Sequence, residues 1–440
     1  MPLDLAVLEA RLVSPLPDLS SLSAQEQFDL IVEKSGAGES IVTPAGLLER
    51  LKASKATAKP LRFKLGIDAT TASIHIGHAI PLINLRRILK MGHKLDLIFG
   101  DFTAMVGDPG GRVEERPALS AEQVRANAAS FGAQAGRVLD LALPSVTVHY
   151  NSAWLGKLSL SDWLKVTRGV GVSTLLQRED FRKRMDAGAP LSLAEAEYPL
   201  LMGYDSVTLK TDVEVGGIDQ FLNFHICRGM MEAAGQKPES FVCFDLLPGT
   251  TGERDAQGRL KKMSKTGGNH IALAAEPAEH YGKVLSIPDE VMWVWYRELT
   301  EIRAGELAEL KSAVQAGSVH PKDAKRLLAR VVTALFNGHD PAVVRAAEAA
   351  FDQKFGASKV LIPEDIKPVS LVNQSKVLDA LRRASGESAS QVRRWVQQRG
   401  VQVLEGEAYI PLDEATLSQD STTLVGRVVK IGKRQYFKFG

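Results

Sequence analysis

Cysteine is almost absent from this chain of 440 residues: Cys227 and Cys243 are the only two, too few for a disulfide framework and without paired metal-ligand spacing. They are expected as reduced core thiols, and no metal site is expected. Long apolar runs are missing as well, since no stretch approaches the roughly 18 to 20 residues that span a bilayer. Residues 1–17 include Asp4 and Glu9 and hold no unbroken apolar core, so they do not read as a signal peptide, and the cytoplasm is the expected compartment. Charge of one sign is also lacking: 54 Lys plus Arg against 52 Asp plus Glu leave a net +2, which argues against blanket adhesion to polyanions. Any nucleic-acid contact must then come from local patches. No internal repeat or low-complexity tract is evident, and the 45% hydrophobic content leaves room for two to four domains with cores of their own.

What is present is a pair of short sequences suited to phosphate. His75-Ile76-Gly77-His78 follows the apolar run Leu65 to Ile67 and opens a helical spacing at Ile80, Ile83, Ile88 and Leu89. The histidines therefore sit at a strand-to-helix turn, where free N–H groups and positive potential face an anion. Gly77 leaves room for a flat ring near the backbone, and His75 and His78 add donors. Far downstream, Lys262-Met263-Ser264-Lys265-Thr266 lies between Gly258 and Gly267-Gly268, which predicts a mobile loop carrying two ammonium groups. Cations on a loop suit negative charge that appears only in a transition state. Either string alone is explained by a surface turn or a solvated basic loop; both together, in this order, read as one ATP site.

Residues 1–59 read as a helical lead-in, with Leu47, Leu48 and Leu51 spaced for one face. From 60 to 277, apolar runs alternate with helical spacings: Phe63–Ile67, Ile80–Leu89, Leu95–Phe99, Ala121–Leu139, Val146–Tyr150. That alternation predicts an α/β class, a Rossmann-like parallel sheet with crossover helices and a ligand site at the carboxyl ends of its strands. Residues 278–358 carry long helical patterns, such as Ala304–Ala316 and Lys322–Phe336, and the prolines Pro363 and Pro368 mark a linker at 359–372. Residues 373–440 form a small α+β module with 11 Lys plus Arg against 7 Asp plus Glu. Its helix near Ser390 to Arg399 bears Arg393 and Arg394, which suit RNA phosphates, although a solvated helix face explains any single arginine equally well.

On these residues the chain resembles the class I aminoacyl-tRNA synthetases, whose two nucleotide-binding sequences these are. Arg62 to Thr70, Gly100 to Pro109, Tyr198 to Asp205 and Val215 to Gln220 are similar to segments of the bacterial tyrosyl-tRNA synthetases. The resemblance implies a tyrosine–tRNA ligase, which joins L-tyrosine to ATP as tyrosyl-adenylate and passes it to the 3′-terminal adenosine of tRNA. It further implies Mg²⁺ as an aid, a homodimer, an anticodon-binding role for the helices of 278–358 and an S4-like RNA-binding fold for 373–440. Residue by residue, Thr70, His75 and His78 would contact the phosphates, and Lys262 and Lys265 would neutralise departing pyrophosphate. Gly77 would lie beneath the adenine, with Gly66, Asp68, Met263 and Ser264 completing the ATP site. The tyrosine pocket would use Asp205 for the phenol, Asp108 and Tyr198 for the ammonium group, and Lys64, Met202 and Gln220 around them; Arg393 and Arg394 would meet tRNA.

The chain departs from the family pattern at several points. Met202 stands where a glutamine is usual, Ile218 where Thr or Ser is usual, and Lys64 where many relatives have tyrosine. In the second signature, Thr266 replaces Ser and Gly267 replaces Leu. Met202 and Ile218 keep open a paralogue that activates a tyrosine analogue, and the basic module keeps open a non-catalytic protein that binds structured RNA.

Overall fold

The apolar runs form strands where their spacing predicts them. In the computed structural model, the structure describes residues 4–35, 41–107, 120–355, 366–372, 375–405, 408–432 and 435–440. They fall into two compact units, Met1–Ala347 and Glu348–Gly440.

The first unit is built on a six-stranded sheet: β1 (Ile41–Val42), β2 (Arg62–Ile67), β3 (Lys94–Phe99), β4 (Val146–Tyr150), β5 (Val213–Gly217) and β6 (Ser240–Phe244), in the order β1-β6-β5-β2-β3-β4. The strands β2 to β6 are all parallel, with Leu65 beside Leu97 and Val215 beside Val242. Every residue of β6 and all but the first of β3 are buried, as a parallel sheet covered on both faces requires. Chain order reverses between β2 and β5, so the crevice beyond their carboxyl ends, at Ile67 and Gly217, is the topological switch point where ligands bind in such sheets. One element within 1–59 is not helical: β1 joins the edge of β6 antiparallel, pairing Ile41 with Val242. Two residues are too short a run to carry a detectable period.

The helix Ala79–Lys90, which leaves the His75–His78 turn, is fixed at its far end by charge. Arg87 donates from Nε to Glu301 Oε2 at 2.8 Å and from Nη2 to the Thr300 carbonyl at 3.1 Å, and Arg86 reaches Glu301 Oε1 at 3.1 Å. Lys34 donates to the carbonyl of Arg297, in the last turn of the helix Asp289–Leu299, and to those of Thr300 and Ile302 just beyond it, so it caps that helix end, where carbonyls lack helical partners. Burial would raise the Glu301 carboxyl, but Arg87 and Arg86 hold it down to about 2. Burial beside Arg87 pushes Lys34 down to about 8.

The second unit has two layers. Its sheet runs β7-β11-β10-β8-β9, with β7 (Lys367–Val369), β8 (Val401–Glu405), β9 (Ala408–Pro411), β10 (Val428–Ile431) and β11 (Gln435–Phe439). The helices Val377–Ser385 and Ala389–Gln397 pack on one face through Ala380, Leu381, Val392 and Val396. Burial of Val392 and Val396 turns Arg393 and Arg394 outward, and both are exposed. No helix among the described residues is long and apolar enough to cross a membrane.

Replacing Glu301 with Gln leaves two guanidinium groups without a counter-ion, one of them fully buried. The expected loss is about 3 kcal/mol, read as a lower urea midpoint at unchanged slope. Because the Glu301 pKa is depressed in the fold, its contribution is complete above the unfolded value near 4.5 and is lost as pH falls toward about 2. The variant should therefore lose less of its remaining stability over that acid range than the unaltered chain.

Candidate active site

The turn after β2 sets the first half of the site. The short turn Ile76–His78 runs directly into the helix Ala79–Lys90, and its imidazoles lie 3.8 Å apart between ring centroids. The backbone N–H of His75 donates to Nδ1 of His78 at 3.2 Å, so a neutral His78 carries its proton on Nε2. Nδ1 of His75 is buried and meets no hydrogen-bond partner. Burial, with His78, His270, Lys265 and Lys262 close by, pushes His75 down to about 3; burial likewise takes His78 down to about 4. Burial thus favours the neutral form of both rings at pH 7. A Cβ on Gly77 would come within 3.0 Å of the His75 ring and 3.6 Å of Met263, so the backbone here admits no side chain without displacement.

The second signature meets the first through the main chain. Ile76 N–H donates to the Ile271 carbonyl at 3.0 Å and Leu273 N–H to the Ile74 carbonyl at 2.9 Å, with His75 and Ala272 bridged between them. Lys265 donates from Nζ to Ser73 Oγ at 2.6 Å and to the Ser73 carbonyl, while Lys262, 61% exposed, lies 3.9 Å from Asp219. The segment expected as a mobile loop is pinned in this structure by a residue that its glycines do not announce. Asn269 accepts from the Ser264 N–H at 2.8 Å and donates to the Lys262 carbonyl at 3.3 Å, fixing the loop on either side of Met263. It fits only because residue 249 is glycine: a Cβ there would lie 2.1 Å from the Asn269 amide nitrogen.

At the other end of the crevice stands Asp205, 4% exposed, on the helix Leu193–Leu209. Trp154 donates its indole N–H to Oδ1 at 2.7 Å and Asn151 its amide to Oδ2 at 3.3 Å. Burial pushes this carboxyl up to about 7, against the pull of Lys64 and those two donors. Asn151 also donates to Thr103 Oγ1 at 3.1 Å, and Thr103 to Asp68 Oδ1 at 2.7 Å, so a continuous chain of hydrogen bonds joins Asp68 to Asp205. Thr103 lies within the Gly100 to Pro109 segment but carries no assigned role there, and Asn151 and Trp154 escape motif reading altogether. Their signal is position, since Asn151 and Trp154 directly follow β4, at the carboxyl edge where the sheet places its ligands.

Lys64, 1% exposed, points into a sealed cluster beneath Asp205. Its ammonium lies 2.7 Å from Glu214 Oε1 and donates to Ser206, whose hydroxyl also reaches Glu239 at 3.2 Å. Burial alone would lower the lysine, but Glu214 and Glu239 override it and hold it raised, while burial and Glu214 push Glu239 well up, toward its neutral acid. Tyr198 is buried on the same helix as Asp205, and Met202 packs against Phe224, Phe241 and Cys243. Gln220 accepts from Asn223 at 2.7 Å, and Asn223 in turn from Arg178 at 2.7 Å. Gly66 and Thr70 flank Asp68 at the mouth of the crevice, and Asp108 lies outside the described residues.

Residues 55–356 match the family of class I tRNA synthetases (W and Y). The chain is 36% identical to the tyrosine–tRNA ligase of Desulfotalea psychrophila over 94% of its own length and 98% of that protein. It is 37% identical to the tyrosine–tRNA ligase of Haemophilus influenzae over 92% and 96% respectively. Its fold is similar to that of a C-terminally truncated Aspergillus nidulans mitochondrial tyrosyl-tRNA synthetase, with a TM-score of 0.60, 22% identity and coverage of 76% of this chain and 97% of that one. The Archaeoglobus fulgidus tyrosyl-tRNA synthetase complexed with L-tyrosine gives 0.56 at 19% identity, over 74% and 99%.

The two imidazoles give a pH test. Their pKa values are lowered in the fold, so the unfolded chain binds more protons between about 6.5 and about 4, and acidification through that window should destabilise the protein. Nitrogen NMR of labelled histidine should find both rings neutral at pH 6, with His78 protonated on Nε2. A charged ring at that pH would contradict the geometry.

Proposed function

The chain belongs to the class I tRNA synthetases, among the tyrosine–tRNA ligases, and from that premise we propose how its own residues carry the reaction. L-tyrosine is activated with ATP to tyrosyl-adenylate, and the tyrosyl group then passes to the 3′-terminal adenosine of tRNA. The observation that carries this reading is the main-chain pairing of Ile74–Ile76 with Ile271–Leu273, which brings imidazoles and lysines to one crevice at the end of β2.

In the first step a carboxylate oxygen attacks the α-phosphorus, the Pα–O bond to pyrophosphate breaks, and negative charge accumulates on the leaving group. Adenine lies over Gly77, opposite Met263. His75 and His78 donate to phosphoryl oxygens, with Thr70 beside them and the start of the helix Ala79–Lys90 adding positive potential. Lys265 exchanges the Ser73 oxygens for those of pyrophosphate, and Lys262 closes from Asp219. Mg²⁺ carried by the triphosphate substrate would supply further positive charge to its phosphates. Among the described residues, the one cluster with metal-ligand geometry is Glu214, Cys227 and Glu239, where Lys64 already supplies the positive charge, so no step is routed through a protein-held metal. In the second step the terminal ribose hydroxyl attacks the mixed anhydride and AMP leaves.

Asp205 accepts the phenol hydroxyl, since Trp154 and Asn151 use only one lone pair on each of its oxygens. Phenylalanine would leave that buried carboxylate short of a partner; tyrosyl-tRNA synthetase is itself the standing example of this selectivity. Asp108 and Tyr198 hold the ammonium group and Gln220 faces the substrate carboxylate. A second reading, activation of a tyrosine analogue, is favoured by Met202, which offers no acceptor comparable to a glutamine, and by Ile218, which is exposed at the turn after β5. The helices after Pro277 serve the anticodon, the compartment is the cytoplasm, and the oligomer is a homodimer. An apolar surface supports the last point: the helix Leu160–Thr167 buries none of its residues and leaves Leu160 73% and Leu164 56% exposed.

Tyrosine-dependent exchange of pyrophosphate into ATP tests the reaction, and its absence from purified protein would refute it. In a panel of amino acids, tyrosine should give the highest kcat/KM by a wide margin, which would exclude the analogue. Asp205→Asn should raise the KM for tyrosine by roughly tenfold to a hundredfold, the loss of a hydrogen bond to a charged group. In the unaltered chain, KM should fall as pH rises through about 7, where Asp205 ionises. Sedimentation should find a dimer that Leu160→Asp with Leu164→Asp converts to monomer.

A further inference from the structure

The second unit has two opposite faces, and only one bears the exposed arginines of the helix Ala389–Gln397. Residues alternate across a strand, and Val401, Val403, Val429, Ile431, Phe437 and Phe439 all point to the helices. The intervening residues therefore look the other way. Lys430 on β10 stands directly opposite Tyr436 on β11, and Tyr409 comes in from β9 across β8. The two phenol rings lie 6.1 Å apart between centroids, tilted by 57°, with the Lys430 ammonium 5.7 Å from one and 5.8 Å from the other. Both rings are part-exposed, and Lys438 is exposed on the same side.

We propose that this sheet face is a second RNA contact, at which unpaired nucleobases stack on Tyr409 and Tyr436 while Lys430 and Lys438 meet the adjoining phosphates. The inference rests on the aminoacylation reading, in which RNA is already a partner, and goes beyond it in assigning a separate surface and a different class of contact. Aromatic rings accept any base through its π-face, and a cation held between two rings leaves them beside positive potential that a phosphate can share. The excess of Lys and Arg in 373–440 makes the module complementary to a polyanion and unsuited to a basic or neutral partner. The arginine-bearing helix lies on the other side of the two-layer unit, so the two contacts can be altered independently.

The test uses the full-length chain and fluorescence anisotropy with two probes, a short oligoadenylate and a blunt RNA duplex of equal length. Tyr409→Ala with Tyr436→Ala should weaken oligoadenylate binding by about tenfold or more while leaving duplex affinity and the salt slope unchanged. The corresponding Phe pair should bind as the unaltered chain does. A Leu pair, which retains apolar bulk without a π-face, should behave like the Ala pair and separates lost stacking from lost folding. Arg393→Ala with Arg394→Ala should instead flatten the salt slope. Full oligoadenylate affinity in the Ala and Leu pairs, or equal losses for both probes, overturns the proposal. Tyrosine-dependent pyrophosphate exchange on the same preparations keeps the two readings apart: exchange without ring-dependent binding sinks only the platform, and ring-dependent binding without exchange sinks only the ligase.

Discussion

A carboxylate and a phosphate oxygen brought to 4 Å repel each other by about 4 kcal/mol at the effective dielectric of a protein surface. On the proposed reaction, the crevice at the end of β2 must hold these two anions together and then release a third with more charge still. Four backbone positions make that feasible. Ile74, Ile76, Ile271 and Leu273 pair as two extended segments, and through them residues almost two hundred positions apart in the chain share one wall. Without that pairing, the histidine turn is a helix start and the lysine segment a basic loop. Neither has chemistry of its own.

The amino acid end meets a different constraint, because a carboxyl placed deep enough to read a phenol is also deep enough to lose its charge. Desolvation drives Asp205 toward the neutral acid, and two donors and the Lys64 cluster work against it. In that cluster the Lys64 ammonium pairs with Glu214, and burial beside Glu214 drives Glu239 toward its neutral acid. A lone lysine at this depth would be strongly unfavourable, and a lone glutamate equally so. On the proposed reading Lys64 acts at a distance, through its charge near Asp205, while its ammonium contacts Glu214 and Ser206.

Much of the architecture was legible in sequence because the strands leave short apolar runs with sharp limits, buried throughout in β6 and nearly so in β3, though not in the edge strand β4. Phe63–Ile67, Leu95–Phe99 and Val146–Tyr150 lie within β2, β3 and β4, and the helices over 79–90 and 321–336 follow their spacing closely. The short strand β1 left no trace, since a two-residue edge strand has no period. Motifs likewise exposed the groups that handle phosphate but not those that hold them in place. Asn269 acts on backbone atoms of its own loop, and its fit depends on Gly249 twenty residues earlier; Trp154 and Asn151 act on Asp205 from another strand's end. Such contacts exist only after the chain has folded, and no local pattern encodes them.

The division between neutral and charged donors has a kinetic logic. Cations fixed around the triphosphate would bind ATP and its transition state alike, which lowers KM without raising kcat. Here the groups nearest the turn, His75 and His78, are stripped of charge by burial, while the two full positive charges stand on a segment whose resting contacts are to Ser73 and Asp219. Those contacts involve a neutral hydroxyl and carbonyl on one side and a long, exposed ion pair on the other, so both are cheap to exchange for phosphate. Asn269 holds the backbone of the segment while leaving the lysine side chains to move. On the proposed reaction, positive charge would then arrive as pyrophosphate begins to separate, the moment at which it lowers the barrier.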